Sequence, residues 1–184
     1  MKLALTVSGL LLALVLSSLQ LQRVNAWQPA EPYLVPELTH RDPSDWINSS
    51  PLMRSDFQGK VVLIDFWTFG CWNCYQSFPW LKKLEAKYQE RGFVVLGVHT
   101  PEFNHEQDRW RVAEKVKEFG LAHAVMIDND FSYWKALKNR YWPAFYLIDK
   151  TGNVRAVYVG EMRVGEKRAT VLERQIEALL AELG

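Results

Sequence analysis

Lys60-Val61-Val62-Leu63-Ile64-Asp65-Phe66-Trp67-Thr68-Phe69-Gly70-Cys71-Trp72-Asn73-Cys74 is the stretch whose reading decides the fold. Residues 60–67 are β-branched or aromatic almost without a break, the pattern of a strand buried on both faces. After the cysteines, Phe78, Leu81, Leu84 and Tyr88 recur at helical spacing, with Lys82, Lys83, Glu85 and Lys87 left for water, and Gly92 ends the run. The cysteines therefore stand between a strand and a helix start. Two intervening residues allow them to close a disulfide with little backbone movement. Unpaired N–H groups and the positive dipole end at a helix N-terminus favour a thiolate. This placement suits Cys71 as nucleophile and Cys74, one turn inside, as the resolving thiol.

Outward from this core, Phe93 to Val98 reads as a second buried strand. A helix capped at Asn104 or a neighbour runs to Phe119, with Ala113 and Val116 inward and Gly120 as its stop. Ala124–Ile127 is a third strand, and Phe131–Asn139 a short helix. Ala144–Ile148 and Val154–Val159 form a hairpin through Asp149-Lys150-Thr151-Gly152-Asn153, and a last helix from about Glu166 buries Leu172, Ile176, Leu179 and Leu180. Residues 27–58, with Pro29, Pro32, Pro36, Pro43 and Pro51, read as an extended lead-in with turns and a short element near Trp46 and Ile47. The fold class is α/β: a mixed sheet covered on both faces.

Composition narrows the function. The chain has 184 residues, 22 Lys+Arg against 21 Asp+Glu, and 13% aromatic residues. This balance excludes a nucleic-acid binder that relies on bulk positive charge, and the aromatics argue against a disordered chain. Two cysteines are too few for a disulfide-dense scaffold or a four-cysteine metal site. Residues 1–26 read as a signal peptide: Lys2, an apolar run from Leu3 to Leu21, then Val24-Asn25-Ala26 before a cleavage point at Trp27. An uncleaved membrane anchor is the alternative. Without residues 1–26 the balance is 20 basic to 21 acidic side chains, and the expected location is periplasmic or secreted.

Other uses of the pair fit less well. A c-type haem site needs His after the second cysteine, where Tyr75 stands. The four histidines, His40, His99, His105 and His123, form no close pair, so no metal is expected. A structural disulfide across so short a loop removes little chain entropy.

Val62-Leu63-Ile64-Asp65-Phe66-Trp67, Cys71-Trp72-Asn73-Cys74 and Pro79 resemble a thioredoxin active site, with Asp six residues before the first cysteine and Pro five after the second. Tyr141-Trp142-Pro143-Ala144-Phe145-Tyr146-Leu147-Ile148-Asp149 resembles the cis-proline segment of that superfamily. The tract between the two blocks is longer than in plain thioredoxin by about one βα unit. With Gly97-Val98-His99-Thr100-Pro101-Glu102-Phe103 it is similar to TlpA-like, and most of all DipZ-like, thiol–disulfide exchange domains, over residues 59–184. Gly70 stands where plain thioredoxin carries Trp, and Trp72-Asn73 replaces Gly-Pro, so no redox potential transfers.

The resemblance implies a thioredoxin-like fold with a βα insertion before the cis-proline strand. It also implies an oxidoreductase that reduces or isomerises protein disulfides, with no cofactor beyond the Cys71–Cys74 pair. A strong oxidase would need a larger insertion. Asp65 would take the Cys74 proton through water, as its apolar neighbours would raise its pKa toward a useful range. Glu102 is a candidate acid beside it, or simply a helix-start acid. A cis Trp142–Pro143 bond would leave the Trp142 backbone free to pair with an extended substrate. Trp72 and Trp142 would form an aromatic rim, while Trp67 packs in the core. Expected partners are protein thiols and disulfides and a separate membrane-bound electron donor. A non-catalytic binding module and a peroxide reductase are the rival readings; Thr68 is correctly spaced for the latter, but Ile64 occupies its proline position.

Overall fold

The computed structural model describes Ala26, Trp27, Pro29 and residues 31–182. Residues 1–25, which carry most of the expected export signal, lie outside them. Among the described residues no helix is long and apolar enough to cross a membrane.

The central strands form as their composition predicts. β4 (Val61–Trp67) pairs in parallel with β5 (Phe93–His99), and β5 with β6 (Ala124–Ile127). β7 (Ala144–Ile148) runs antiparallel to β4 on its other side and continues by hairpin into β8 (Asn153–Val159). The lead-in joins this sheet, and the short element expected near Trp46 and Ile47 is one of its strands. β1 (Ala26–Trp27) and β2 (Tyr33–Leu34) pair with β8, and β3 (Trp46–Ile47) pairs with β6, giving the order β1-β8-β7-β4-β5-β6-β3 with β2 beside β8.

Alternation along β4 splits the core in two. Val61, Leu63 and Trp67 face the helices α1 (Trp72–Tyr88), α2 (Arg109–Phe119) and α4 (Lys167–Ala181). Val62, Ile64 and Phe66 face α3 (Ser132–Ala136) and the lead-in residues Val35, Leu38 and Trp46. Every residue of β4 is buried, Asp65 included, as a strand covered on both faces requires.

Helix α1 buries Phe78, Leu81, Leu84 and Tyr88, as the stripe predicts, and stops at Gly92 (φ 84°) after a 3-10 turn. Of the residues expected to face water, Glu85 departs: it is partly buried and meets His123. The helix expected from Asn104 is two elements. Residues Asn104–Gln107 make a 3-10 turn, and α2 starts afresh behind Asp108, whose carboxylate accepts from the Trp110 and Arg111 N–H groups. Gly120 (φ 64°) ends α2 as expected.

The lead-in is tied down by one buried acid. Asp128, after β6, accepts from the Tyr133 and Trp134 N–H groups (both 2.9 Å) and the Thr100 hydroxyl (3.1 Å). His40 Nε2 lies 3.1 Å from the same carboxylate and Nδ1 lies 3.2 Å from Asp45. The hydrogen bond to Asp128, with that to Asp45, raises the His40 pKa above its ordinary value despite burial.

Candidate active site

Cys71 is the N-cap of α1 and is joined to Cys74 by a disulfide. The Cys74 N–H donates to Cys71 Sγ across 3.1 Å, so a free helix-end donor already points at the expected nucleophile. Cys71 is partly exposed, whereas Cys74 is 1% exposed. The order of access therefore matches an attacking and a resolving thiol.

Asp65 stands on the α1 side of β4, where alternation places it between Leu63 and Trp67. It is 1% exposed, and its Oδ1 has no hydrogen-bond partner among the described residues. Burial pushes its pKa from the ordinary 3.8 up to about 8. A carboxyl that keeps its proton near neutrality can exchange it with a thiol.

The turn entering α1 is held from below by a residue the sequence reading does not single out. Glu106 is fully buried and accepts from the Gly70 N–H (2.8 Å) with one oxygen and from the Glu102 (2.7 Å) and Phe103 (2.9 Å) N–H groups with the other. Burial alone would raise its pKa; the donors of Phe103, Glu102 and Gly70, with Thr68, outweigh that and hold it below the usual carboxylate range. Glu102, the acid expected at this point, turns its side chain to solvent and contributes its backbone N–H. His99 is buried beside them, its Nε2 3.4 Å from both the Thr68 hydroxyl and the Phe69 nitrogen. Burial holds its pKa down to about 4, so it stays a neutral acceptor.

Gly70 is needed here for close approach. A Cβ at this position would run into Glu106 Oε1. Gly70→Ala is therefore expected to displace either the turn or the carboxylate and to lower stability by about 1–3 kcal/mol. Urea unfolding reads this directly; a variant as stable as the parent would show that the Gly70–Glu106 contact is dispensable.

Around the pair, Trp72 is 67% exposed and its ring lies 5.5 Å from that of Tyr75. Trp142 is half-buried: its indole N–H donates to the Thr100 carbonyl (3.0 Å) and its ring lies 4.3 Å from that of Trp134. Pro143 is buried, and the Trp142–Pro143 peptide bond is cis. Trp67 is fully buried, edge-on to Phe78 and His99, as expected of a core residue. Away from the pair, His40, Asp128 and Asp130 present ligand atoms within 4.8 Å of one another, but Asp128 is engaged by backbone donors.

A mixed sheet flanked by helices, with a disulfide at the N-terminus of the helix after its central strand, defines a thioredoxin-like oxidoreductase domain. A Redoxin family model matches residues 46–175, and the chain belongs to that family. Protein DipZ of Mycobacterium bovis is 40% identical over 119 residues, which are 63% of this chain and 17% of DipZ; the chain thus spans under a fifth of that relative. The thiol-disulfide oxidoreductase YkuV of Bacillus subtilis is 29% identical over 80% of this chain and 95% of its own length. Among solved structures, a thioredoxin-like protein in its oxidised form superposes with a TM-score of 0.69 at 29% identity, covering 83% of this chain and 98% of that one.

Proposed function

We propose that the domain reduces protein disulfides, or isomerises them, by thiol–disulfide exchange. The observation that carries this reading is the graded access of the two sulfurs at the start of α1, Cys71 partly exposed and Cys74 buried, with Asp65 in the strand leading to them. In the reduced domain the Cys71 thiolate attacks one sulfur of a substrate disulfide. A mixed disulfide forms and one substrate thiolate leaves. Asp65, once it has lost its own proton to solvent, takes the proton of Cys74, which attacks Cys71 Sγ and releases the second substrate thiolate. Two electrons pass to the substrate and the Cys71–Cys74 disulfide remains. No other cofactor enters. A separate dithiol protein, membrane-bound in this reading, returns the electrons. Trp72 offers the exposed aromatic contact for a protein substrate, and the backbone at Trp142 and Pro143 its strand-like docking edge. The proposed location is the periplasm or cell exterior, supported by the apolar leader of residues 1–26.

Cysteine replacement tests the scheme. Cys71→Ser should abolish reduction of a protein disulfide such as insulin. Cys74→Ser should instead accumulate a mixed disulfide through Cys71, visible on a non-reducing gel. Trapping through Cys74 in the Cys71→Ser protein would reverse the two roles. The reduction potential against glutathione separates directions: a value near thioredoxin's, about −270 mV, supports a reductase, and one near −120 mV an oxidase.

A further inference from the structure

The second core, on the face of β4 turned away from α1, is not filled. A cavity of about 250 Å³ lies between the sheet and the lead-in. Val62, Ile64, Leu96 and Ile148 make its floor; each is at most 2% exposed, and their side chains bring no polar atom. Residues 34–38 of the lead-in and the 3-10 turn Arg54–Phe57 line its walls. Hydrogen bonds hold these walls in place. The Val35 N–H donates to the Gly152 carbonyl (2.9 Å), Arg54 Nη1 to the Val35 carbonyl (3.1 Å) and the Arg54 N–H to Glu37 Oε1 (3.0 Å). The charges at the mouth are paired as well: Arg54 Nε lies 3.7 Å from Glu37 Oε2, and Arg155 Nη1 lies 3.1 Å from Asp149 Oδ2. Inside the cavity one polar group has no partner. Tyr133, from α3, lines it and is 1% exposed, and its hydroxyl makes no hydrogen bond to a described residue. Burial pushes the Tyr133 pKa up, with Glu37 at the mouth adding to the shift, so the hydroxyl stays a neutral donor.

We propose that this cavity binds a small neutral molecule with an apolar body and one oxygen acceptor, which takes a hydrogen bond from the Tyr133 hydroxyl. Volume sets the size of the body. A cavity of about 150 Å³ takes benzene, so one of about 250 Å³ takes about ten non-hydrogen atoms. Water is a poor filling, because each buried water needs two to four polar partners and the floor offers none. A carboxylate or an ammonium group is disfavoured: the charges at the mouth already have partners, and the desolvation of a further charge would go uncompensated. The donor at Tyr133 selects an oxygen acceptor over a wholly apolar molecule, since only the acceptor satisfies the buried hydroxyl. The cavity and the disulfide lie on opposite faces of β4, so this site stands apart from the chemistry of Cys71 and Cys74. A ligand held between the lead-in and the sheet needs both in place, and it stabilises the folded domain by mass action.

The test uses acetophenone, a ring with one carbonyl, and ethylbenzene, the same molecule without the oxygen. In the oxidised protein acetophenone should shift the methyl resonances of Val62, Ile64, Leu96 and Ile148, saturate below about 1 mM and raise the urea midpoint. Ethylbenzene should shift the same methyls and bind about tenfold more weakly. Tyr133→Phe should weaken acetophenone about tenfold and leave ethylbenzene unchanged, which erases the preference. Alkylation of Cys71 in the reduced protein should proceed at the same rate with and without acetophenone. If Tyr133→Phe does not fold, the preference of the parent for acetophenone, read at the floor methyls, decides. Three results would overturn the proposal: floor methyls that do not move at the solubility limit of acetophenone, shifts centred on α1 instead, or a folded Tyr133→Phe protein that binds acetophenone as tightly as the parent.

Discussion

Asp65→Asn is expected to make the domain more stable at neutral pH and to cripple its turnover. The stability effect follows from linkage. Below about pH 3.8 Asp65 is protonated in the folded and unfolded states alike, and it exerts no penalty. Between the ordinary value of 3.8 and the folded value of about 8, the unfolded chain ionises while the folded domain keeps its proton. Over that window stability falls with rising pH, by about 1.4 kcal/mol per unit. Above it both states are ionised and the penalty is constant. At pH 7 the accumulated penalty is on the order of 4 kcal/mol, taken as an upper bound because water entry softens burial. Asn does not ionise, so the Asp65→Asn protein should lack this slope. Its amide is also buried, which offsets part of the gain by about 1–3 kcal/mol. The slope, not the offset, is therefore the diagnostic. Urea unfolding between pH 4 and 9 should show the two proteins diverging as pH rises. In the same variant, loss of the proton acceptor should slow resolution of the mixed disulfide by about 10²-fold or more. Parallel stability curves would remove Asp65 as a buried acid of raised pKa.

Glu106→Gln should act in the opposite direction on stability. Gln retains one oxygen acceptor and turns an NH2 group toward the other donors. If the oxygen stays with the Gly70 N–H, the Glu102 and Phe103 N–H groups face a donor. Leaving two partly buried N–H groups unpaired costs about 2–4 kcal/mol, with more lost because the original bonds are charge-assisted. The charge itself matters for the neighbouring thiol. A carboxylate under the turn that carries Cys71 disfavours a second negative charge there. Its removal should lower the Cys71 pKa, so alkylation of the reduced Glu106→Gln protein should reach half its maximal rate at a lower pH than in the parent. A fall in stability without that shift would reduce Glu106 to a scaffold role; neither change would mean the turn holds without it.

The residues that can be read from the chain are those whose setting is local. Cys71 and Cys74 follow a strand and precede an amphipathic stripe, and Asp65 interrupts an apolar run. Each pattern is complete within a dozen residues. Glu106 has no such pattern. Its partner in the active-site turn, the Gly70 N–H, is 36 residues away in sequence. Its local trace is Glu three residues after Phe103, one half of a capping box whose first residue cannot cap. The same carboxylate explains why α2 begins late. Residues 104–107 are wound into a 3-10 turn that carries Glu106 under the active-site loop, and Asp108 then caps the helix. Glu85 reads as solvent-facing because helical periodicity sees only its own helix; His123, from the loop before β6, claims it. The strands of the lead-in are hidden for another reason. Two-residue strands among prolines carry no alternation to detect.

Those short strands have a consequence for solubility. A sheet whose outermost strands are long and flat offers rows of unpaired N–H and C=O groups to any passing chain, and is a template for aggregation. Among the described residues both flanks end in strands of two residues, Ala26–Trp27 on one side and Trp46–Ile47 on the other. Neither is long enough to recruit a further strand in register. Stripped of residues 26–47, the domain would present β8 and β6 as bare rims, with seven and four residues open to pairing. The proline-rich lead-in thus serves as a hem on the sheet as well as a cover for its second core, and trimming it should both weaken the domain and make it self-associate.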